Sequence, residues 1–346
     1  LPTLSKLNPF GTTETPLPGK RVSVLAGQEQ IGADLEAPSE QITMPGATAN
    51  VDWSQPGGTA SNAPGNLAFE GGLKSVFTAD AGTGSSKKMK ITAVPIVHQG
   101  RIFTLDAASQ VSAFSAAGGS RAWSQSLVPA SEDEEEGIGG GIAAEGELVF
   151  VASGFGVVVA LDAGSGAKVW EKKVGAPVRS SPTVAEARVY VVNIEGRVAC
   201  LSSVDGAEIW SYRGPPQQAG VINNVSPAVA DGLVVVPFSS GDLIALKADT
   251  GALAWSESLG TARAVSGLSA LSDPSRPVID GGVVYAIGHG GRMIATSQKS
   301  GERIWSLSIG GTQAPAVAGD AVYVVDLAGR LVAVTRETGT VRWAVK

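Results

Sequence analysis

Most of the chain after residue 90 consists of short apolar runs separated by Gly-containing turns. In the stretch 315–343, Val322 and Val324 alternate with Ala321 and Tyr323, so the period is two and both alternating sets are apolar. A period of two in Val-, Ile- and Tyr-rich runs predicts strands that are buried on both faces. Gly at this density argues against any long helix.

The stretch 315–343 recurs five more times along the chain with a fixed internal spacing. The recurring aromatic residues are Trp123, Trp170, Trp210, Trp255, Trp305 and Trp343. Four residues before each of them stand Gly119, Gly166, Gly206, Gly251, Gly301 and Gly339. Ten residues before each of them stand the small residues Ala113, Ala160, Cys200, Ala245, Ala295 and Ala333.

Each repeat contains two hairpin turns marked by Gly, which supplies positive φ. It therefore predicts four short antiparallel strands, and a four-stranded unit with two apolar faces can only be buried by stacking on its neighbours. The fold class predicted is all-β, a β-propeller of four-stranded antiparallel blades with a Trp wedged between neighbouring blades. Six complete repeats are visible, and we expect them to be part of a seven- or eight-bladed ring.

The chain divides into an extended N-terminal arm, residues 1–50, and the propeller, residues 51–346. The arm lacks periodicity and holds one possible short strand at 21–25, and Trp53 and Phe69 are expected to pack on the folded body. The sequence LKSVFTA at 73–79 resembles the segment around each repeat Trp, with Phe77 in the Trp position. We expect it to be an orphan outer strand, which implies that further blades belong after residue 346.

The joins between repeats vary in length and are expected to project from one face, which is the default binding surface. One join carries the acidic run 132–136, for which a solvated loop is the favoured interpretation. The join at 213–226 and the join at 259–276 contain apolar residues among small polar ones. These apolar residues either meet a partner or pack back on the rim.

Groups for catalysis are scarce. His98 and His289 fall in different strand types of non-adjacent blades, which makes a metal pair improbable, and Cys200 fills a slot that holds Ala in the other repeats. The formal charge of −6 offers no basic stripe for nucleic acid, and no apolar run is long enough to span a bilayer. We expect no enzyme activity, no catalytic residue, no metal and no cofactor.

The sequence ALDAGSGAKVW at 160–170 resembles the PQQ-type propeller repeat, and the resemblance covers about residues 73–346. That repeat is shared by quinoprotein dehydrogenases and by non-catalytic scaffolds, so it is specific for fold and not for function. The dehydrogenases carry adjacent cysteines over the cofactor, which a chain with one Cys lacks. A PQQ-binding quinoprotein enzyme or sensor is the alternative hypothesis.

The stretches at 16–25, 51–58, 226–246 and 276–293 resemble the BamB family, propeller lipoproteins of the outer-membrane β-barrel assembly machinery. The resemblance implies a periplasmic location, a lipid anchor in a removed segment before Leu1, and docking to the POTRA domains of the barrel-inserting subunit. Unfolded outer-membrane proteins are a further candidate partner. Carried over onto this chain, the docking residues are Ala219, Val221, Ile222, Leu268, Leu271, Asp273 and Arg276. At the positions of Ala219, Val221 and Ile222 the family has two Leu and an Arg. It also has two acidic residues where this chain has only Asp273.

Overall fold

The computed structural model describes residues 42–69, 72, 74–135, 137–215, 225–260 and 274–346. These residues form six four-stranded antiparallel sheets, in each of which the strands follow one another in chain order. None of the described residues is helical, and the described chain has no helix fit to cross a membrane. The predicted all-β fold with four-stranded antiparallel blades is therefore confirmed, whereas the number of blades in a complete ring stays a prediction.

The strands of the first three blades are β1 (Ile96–His98), β2 (Arg101–Leu105), β3 (Gln110–Ser115), β4 (Arg121–Ser126), β5 (Gly140–Glu145), β6 (Leu148–Ser153), β7 (Val157–Asp162), β8 (Lys168–Lys173), β9 (Thr183–Ala185), β10 (Arg188–Val192), β11 (Arg197–Ser202) and β12 (Glu208–Arg213). Those of the last three are β13 (Ala228–Ala230), β14 (Leu233–Pro237), β15 (Asp242–Lys247), β16 (Leu253–Ser258), β17 (Val278–Asp280), β18 (Val283–Gly288), β19 (Arg292–Ser297), β20 (Arg303–Leu307), β21 (Ala316–Ala318), β22 (Ala321–Val325), β23 (Leu331–Thr335) and β24 (Val341–Val345).

The spacing of ten residues between the small residue and the Trp has a direct structural cause. In every blade the two are cross-strand partners in the outer hairpin, as Ala160 and Trp170 are in the second blade. A small side chain leaves room for the indole ring, which also lies 5.9 Å from the ring of Phe150. The residue before each Trp is the extra residue of a β-bulge, and a bulge bends the exposed outer strand away from edge-to-edge pairing.

Neighbouring blades are joined by the Trp of one and the turn Gly of the next. A Cβ on Gly206 would lie 2.6 Å from Trp170 Cε3, so the indole of the second blade rests directly on the backbone of the third. Trp170 Nε1 also donates to the carbonyl of Ser203, at 2.9 Å. The same pair of contacts recurs between the later blades, which explains why the Gly and the Trp keep a fixed register.

The first strands of successive blades pack against one another in the order β1, β5, β9, β13, β17 and β21, so they surround a common axis. The blades have two ends. The first and third turns of each blade lie at one end, where Ala163 N donates to Glu147 O at 2.8 Å. The second turns lie at the other end together with the joins, because Val174 N donates to Gly156 O at 2.9 Å. We call these ends the hairpin face and the join face.

Residues 43–62, here called the strap, run across the axis and touch all six blades. Thr43 N donates to Asp320 Oδ1 of the sixth blade at 3.1 Å. Trp53 pairs with Val97 of β1 through two backbone hydrogen bonds of 2.7 and 2.9 Å. The remaining blades are contacted by the residues from 54 to 62. Trp53 therefore packs on the propeller as expected, whereas Phe69 is 71% exposed.

The expected outer strand at 73–79 is not formed, since residues 74–79 belong to no strand. The side-chain part of that prediction nevertheless agrees with the structure. A Cβ on Gly119 would lie 2.3 Å from the ring of Phe77, so Phe77 covers the turn Gly of the first blade as a Trp does in the others. The possible strand at 21–25 lies outside the described residues.

Candidate partner-binding face

At the join face, the start of each join is hydrogen-bonded to the second turn of the blade that it leaves. Gly214 N donates to Gly196 O at 3.0 Å and Leu259 N donates to Gly241 O at 2.8 Å. The two long joins that were predicted to bind a partner therefore leave the propeller at this face. Six of the seven predicted docking residues lie outside the described residues: Ala219, Val221, Ile222, Leu268, Leu271 and Asp273. Arg276 is described.

Arg276 is a partly buried cation at the end of the second long join, directly before Pro277 and β17. Burial lowers the pKa of its guanidinium, and no carboxylate of the described residues opposes that effect. Its Nη1 atom is buried without a hydrogen-bond acceptor among the described residues. A buried donor without an acceptor costs about 1–3 kcal/mol, and more when it is charged. Arg276 Nη1 could therefore donate to a carboxylate or carbonyl oxygen that reached it.

Three further buried polar atoms of the join face have no hydrogen-bond partner in the described structure. They are Arg179 Nε and Ser180 Oγ, in the join before β9, and Ser239 Oγ, in the second turn of the fourth blade. Buried polar atoms are nearly always paired in folded proteins. Together with Arg276 Nη1 they make up four of the nine such atoms among the described residues, and the other five lie elsewhere in the propeller. Sequence reasoning missed these three groups, because an Arg or Ser in a turn-rich join has no distinguishing pattern.

Other charged residues of this face are satisfied within the propeller. Arg197 donates to both carboxylate oxygens of Glu208, at 2.7 and 2.8 Å. Arg292 Nη1 donates to the carbonyl of Gly260 at 2.8 Å. These two Arg residues, each directly after a turn Gly, therefore brace strands and joins.

A carboxylate at a turn of the sixth blade has a structural role. Asp326 Oδ1 accepts from the backbone N of Ala328 and of Arg330, at 2.9 and 2.8 Å. This is the Asx-turn arrangement expected of a short acidic side chain. In the acidic run, Glu135 pairs with Lys88 at 2.5 Å, and both side chains are substantially exposed.

The candidate reactive side chains have structural surroundings. His98 Nε2 lies 2.8 Å from Gly146 O, which joins the first two blades, whereas Nδ1 lies 3.3 Å from a carboxylate oxygen of Asp52 without forming a hydrogen bond. Cys200 is fully buried opposite Trp210, and burial raises the pKa of its thiol to about 12. Among the described residues, no three His, Cys, Asp or Glu side chains are grouped so as to hold a metal ion.

Residues 107–345 match the family model described as "Outer membrane protein assembly factor BamB". The match takes in the outer two strands of the first blade, the five later blades and all the joins between them. The chain belongs to the BamB family. Among curated relatives, BamB of Yersinia pestis is 28% identical over 214 residues, which cover 60% of this chain and 54% of that protein. BamB of Nitrosomonas eutropha is 30% identical over 170 residues, covering 49% of this chain and 41% of that protein.

Solved structures agree on the fold. The crystal structure of BamB from Moraxella catarrhalis superposes with a TM-score of 0.64 at 22% identity, covering 77% of this chain and 78% of that one. A quinohemoprotein alcohol dehydrogenase from Pseudomonas putida superposes with a TM-score of 0.52 at 14% identity, covering 85% of this chain and 72% of that one. Both likenesses show a shared β-propeller fold. The chain spans 57% and 54% of two of its curated BamB relatives, which is about half of their length.

Proposed function

We propose that this BamB-family protein is a non-catalytic scaffold in the assembly of outer-membrane β-barrel proteins. The join face is its docking surface, and its partner is the POTRA region of the barrel-inserting subunit. Unfolded outer-membrane proteins are a second class of partner. A periplasmic location and attachment to the outer membrane through an N-terminal lipid belong to the same proposal.

The observation that carries the docking proposal is Arg276 Nη1, which is buried without an acceptor among the described residues at the base of a long join. A protein gains little from burying a cation that no carboxylate or carbonyl accompanies, because desolvation is costly. A partner that supplies the acceptor recovers that cost on binding. Membership of the BamB family supports the assembly role, and the variable joins at this face support the location of the docking surface.

The proposal is tested by measuring the affinity of the purified full chain for tandem POTRA domains by biolayer interferometry. The variant Arg276→Ala is expected to weaken binding by about 30-fold or more, since losing one partner of a buried charge pair costs about 2–5 kcal/mol. The matched control is Arg101→Ala, which removes the same side chain at the hairpin face and should leave the affinity unchanged.

A second readout separates docking from folding. Because Arg276 Nη1 has no acceptor among the described residues, Arg276→Ala should leave the Tm unchanged or raise it. No binding of the unsubstituted chain to POTRA domains, or equal affinity of both Arg variants, would contradict the proposal.

Titration with micromolar PQQ is expected to leave the absorption spectrum of the cofactor unchanged, whereas a spectral shift would favour the quinoprotein alternative.

A further inference from the structure

The first strand of every blade has one hydrogen-bonded neighbour and one open edge, and the open edges face the axis. An open edge presents backbone N–H and C=O groups that need partners. In this protein the strap supplies them. Ala144 N of β5 donates to Ser54 O at 2.8 Å, and Val229 N of β13 donates to Ala60 O at 2.7 Å.

Gln55 binds the edge of β9 as a neighbouring strand would. Its Nε2 donates to the carbonyl of Val184 at 2.8 Å, while the N–H of Val184 donates to its Oε1 at 2.9 Å. The side chain is 7% exposed, so both hydrogen bonds are shielded from water. Only an amide offers one donor and one acceptor at this spacing, which makes the position specific for Gln or Asn.

The strap ends at the fifth blade. Ile279 N of β17 donates to Ser61 O at 2.9 Å, and Asn62 Nδ2 donates to the carbonyl of Pro277 at 2.9 Å. Asn62 is 5% exposed. Two glycines allow the tight fold between Gln55 and this point: a Cβ on Gly57 would lie 2.1 Å from Asn62 Oδ1, and one on Gly58 would lie 2.9 Å from the ring of Trp53.

The strap also bridges blades that are not neighbours. Its Thr43 end is bonded to Asp320 in the sixth blade, and Trp53 is bonded to Val97 in the first. Among the described strands, the first strands contact one another only between consecutive blades. The sixth blade packs against the fifth through β21 and β17, and no strand contact of that extent joins the sixth blade to the first. Among the described residues, the strap therefore connects the sixth blade to the first.

We propose that the strap is a conformational lock, which closes the axis at the hairpin face and holds the six blades as one unit. Gln55 and Asn62 are its positioning residues. This inference is independent of the docking function. A lock opens as a whole, so the five edge amides that it caps must become accessible together. These amides are Val97 N, Ala144 N, Val184 N, Val229 N and Ile279 N.

Hydrogen–deuterium exchange of the full chain, read at single residues by NMR, tests the lock. In the unsubstituted protein we expect the five edge amides to exchange at one common opening equilibrium, because a single event exposes all of them. A spread of more than about 30-fold in their protection factors, or about 2 kcal/mol between their opening free energies, would overturn the lock.

The variant Gln55→Glu, measured at a pH at which the carboxyl is ionised, sharpens the test because it keeps the shape and the acceptor but loses the donor and places a carboxylate against the Val184 carbonyl. All five edge amides should exchange about 10-fold faster or more, while amides bonded between β10 and β11 keep their rates. The matched control is Gln125→Glu, since Gln125 is exposed on β4 and its Nε2 donates only to Ser126 O. Unchanged rates at the edge amides, or equal acceleration in every sheet, would refute the lock. If Gln55→Glu does not fold, the exchange rates of the five edge amides in the unsubstituted protein still test the lock.

Discussion

The contact between each Trp and the next turn Gly can be tested by adding a single methyl group to that Gly. Gly206 has φ +71°, and a Cβ there would lie 2.6 Å from Trp170 Cε3. The Trp170 ring has little room to move, because it is 9% exposed, packs 5.9 Å from Phe150 and donates to Ser203. Gly206→Ala should therefore combine backbone strain with overpacking.

The two effects are separable because the chain contains a matched control. Gly232 has φ +74°, and a Cβ there meets nothing within 4 Å. Gly232→Ala should show only the left-handed backbone penalty of about 1–2 kcal/mol, reduced by the entropy that Ala removes from the unfolded chain. Gly206→Ala carries the same penalty and in addition about 1–3 kcal/mol for overpacking.

Urea unfolding followed by Trp fluorescence measures both variants against the unsubstituted protein. We expect Gly206→Ala to lose about 1–3 kcal/mol more unfolding free energy than Gly232→Ala, with similar m-values. Equal losses in the two variants would refute the inference that the indole rests on this Gly. A loss confined to Gly232→Ala would refute it as well.

Three further predictions follow from individual contacts. Trp170→Phe removes the indole N–H that donates to the Ser203 carbonyl and part of the ring that lies on Gly206, so it should lower the free energy of unfolding by more than about 1 kcal/mol; a variant as stable as the parent in urea unfolding would contradict this. Burial raises the pKa of Cys200 from 9.0 to about 12, so the folded state favours the neutral thiol, and its contribution is complete below pH 9 and is lost as pH rises from 9 towards 12. The free energy of unfolding should fall by up to about 1.4 kcal/mol per pH unit above pH 9, and Cys200→Ala should reduce that slope; identical slopes would contradict the assignment. Lys88→Met should leave the Tm unchanged in a thermal scan, since Lys88 and Glu135 are both largely exposed, and a clear drop in Tm would show that this ion pair is structural.

The repeat could be predicted from sequence because its information is local and periodic. The Trp, the turn Gly and the small residue each occupy one position in a fixed register, and the structure gives each a single contact that requires it. Even Phe77 could be placed, because the side-chain position is defined by the Gly119 turn that it covers. The strand around Phe77 could not, since a strand also needs a hydrogen-bonded neighbour.

The strap could not be predicted for a different physical reason. Its hydrogen bonds are made mainly by backbone groups to the edges of distant strands, and such bonds impose no periodicity on the sequence. The few side chains that matter, Gln55 and Asn62, are polar residues in a turn-rich segment, where solvent exposure is the default expectation. The glycine pair beside Trp53 was the one available signal, and it indicated only that something packs closely there.

The Trp–Gly contact has a direction, because each blade offers a ring to the blade that follows and receives a ring from the blade that precedes. Within one chain this is a head-to-tail association, in which donor and acceptor surfaces differ. Such an association does not specify how many units it joins; that number is set by the small rotation between neighbours. It also requires a donor from outside the series for the first unit, and Phe77 fills that place on Gly119. The propeller thus begins with a residue that belongs to none of its own repeats.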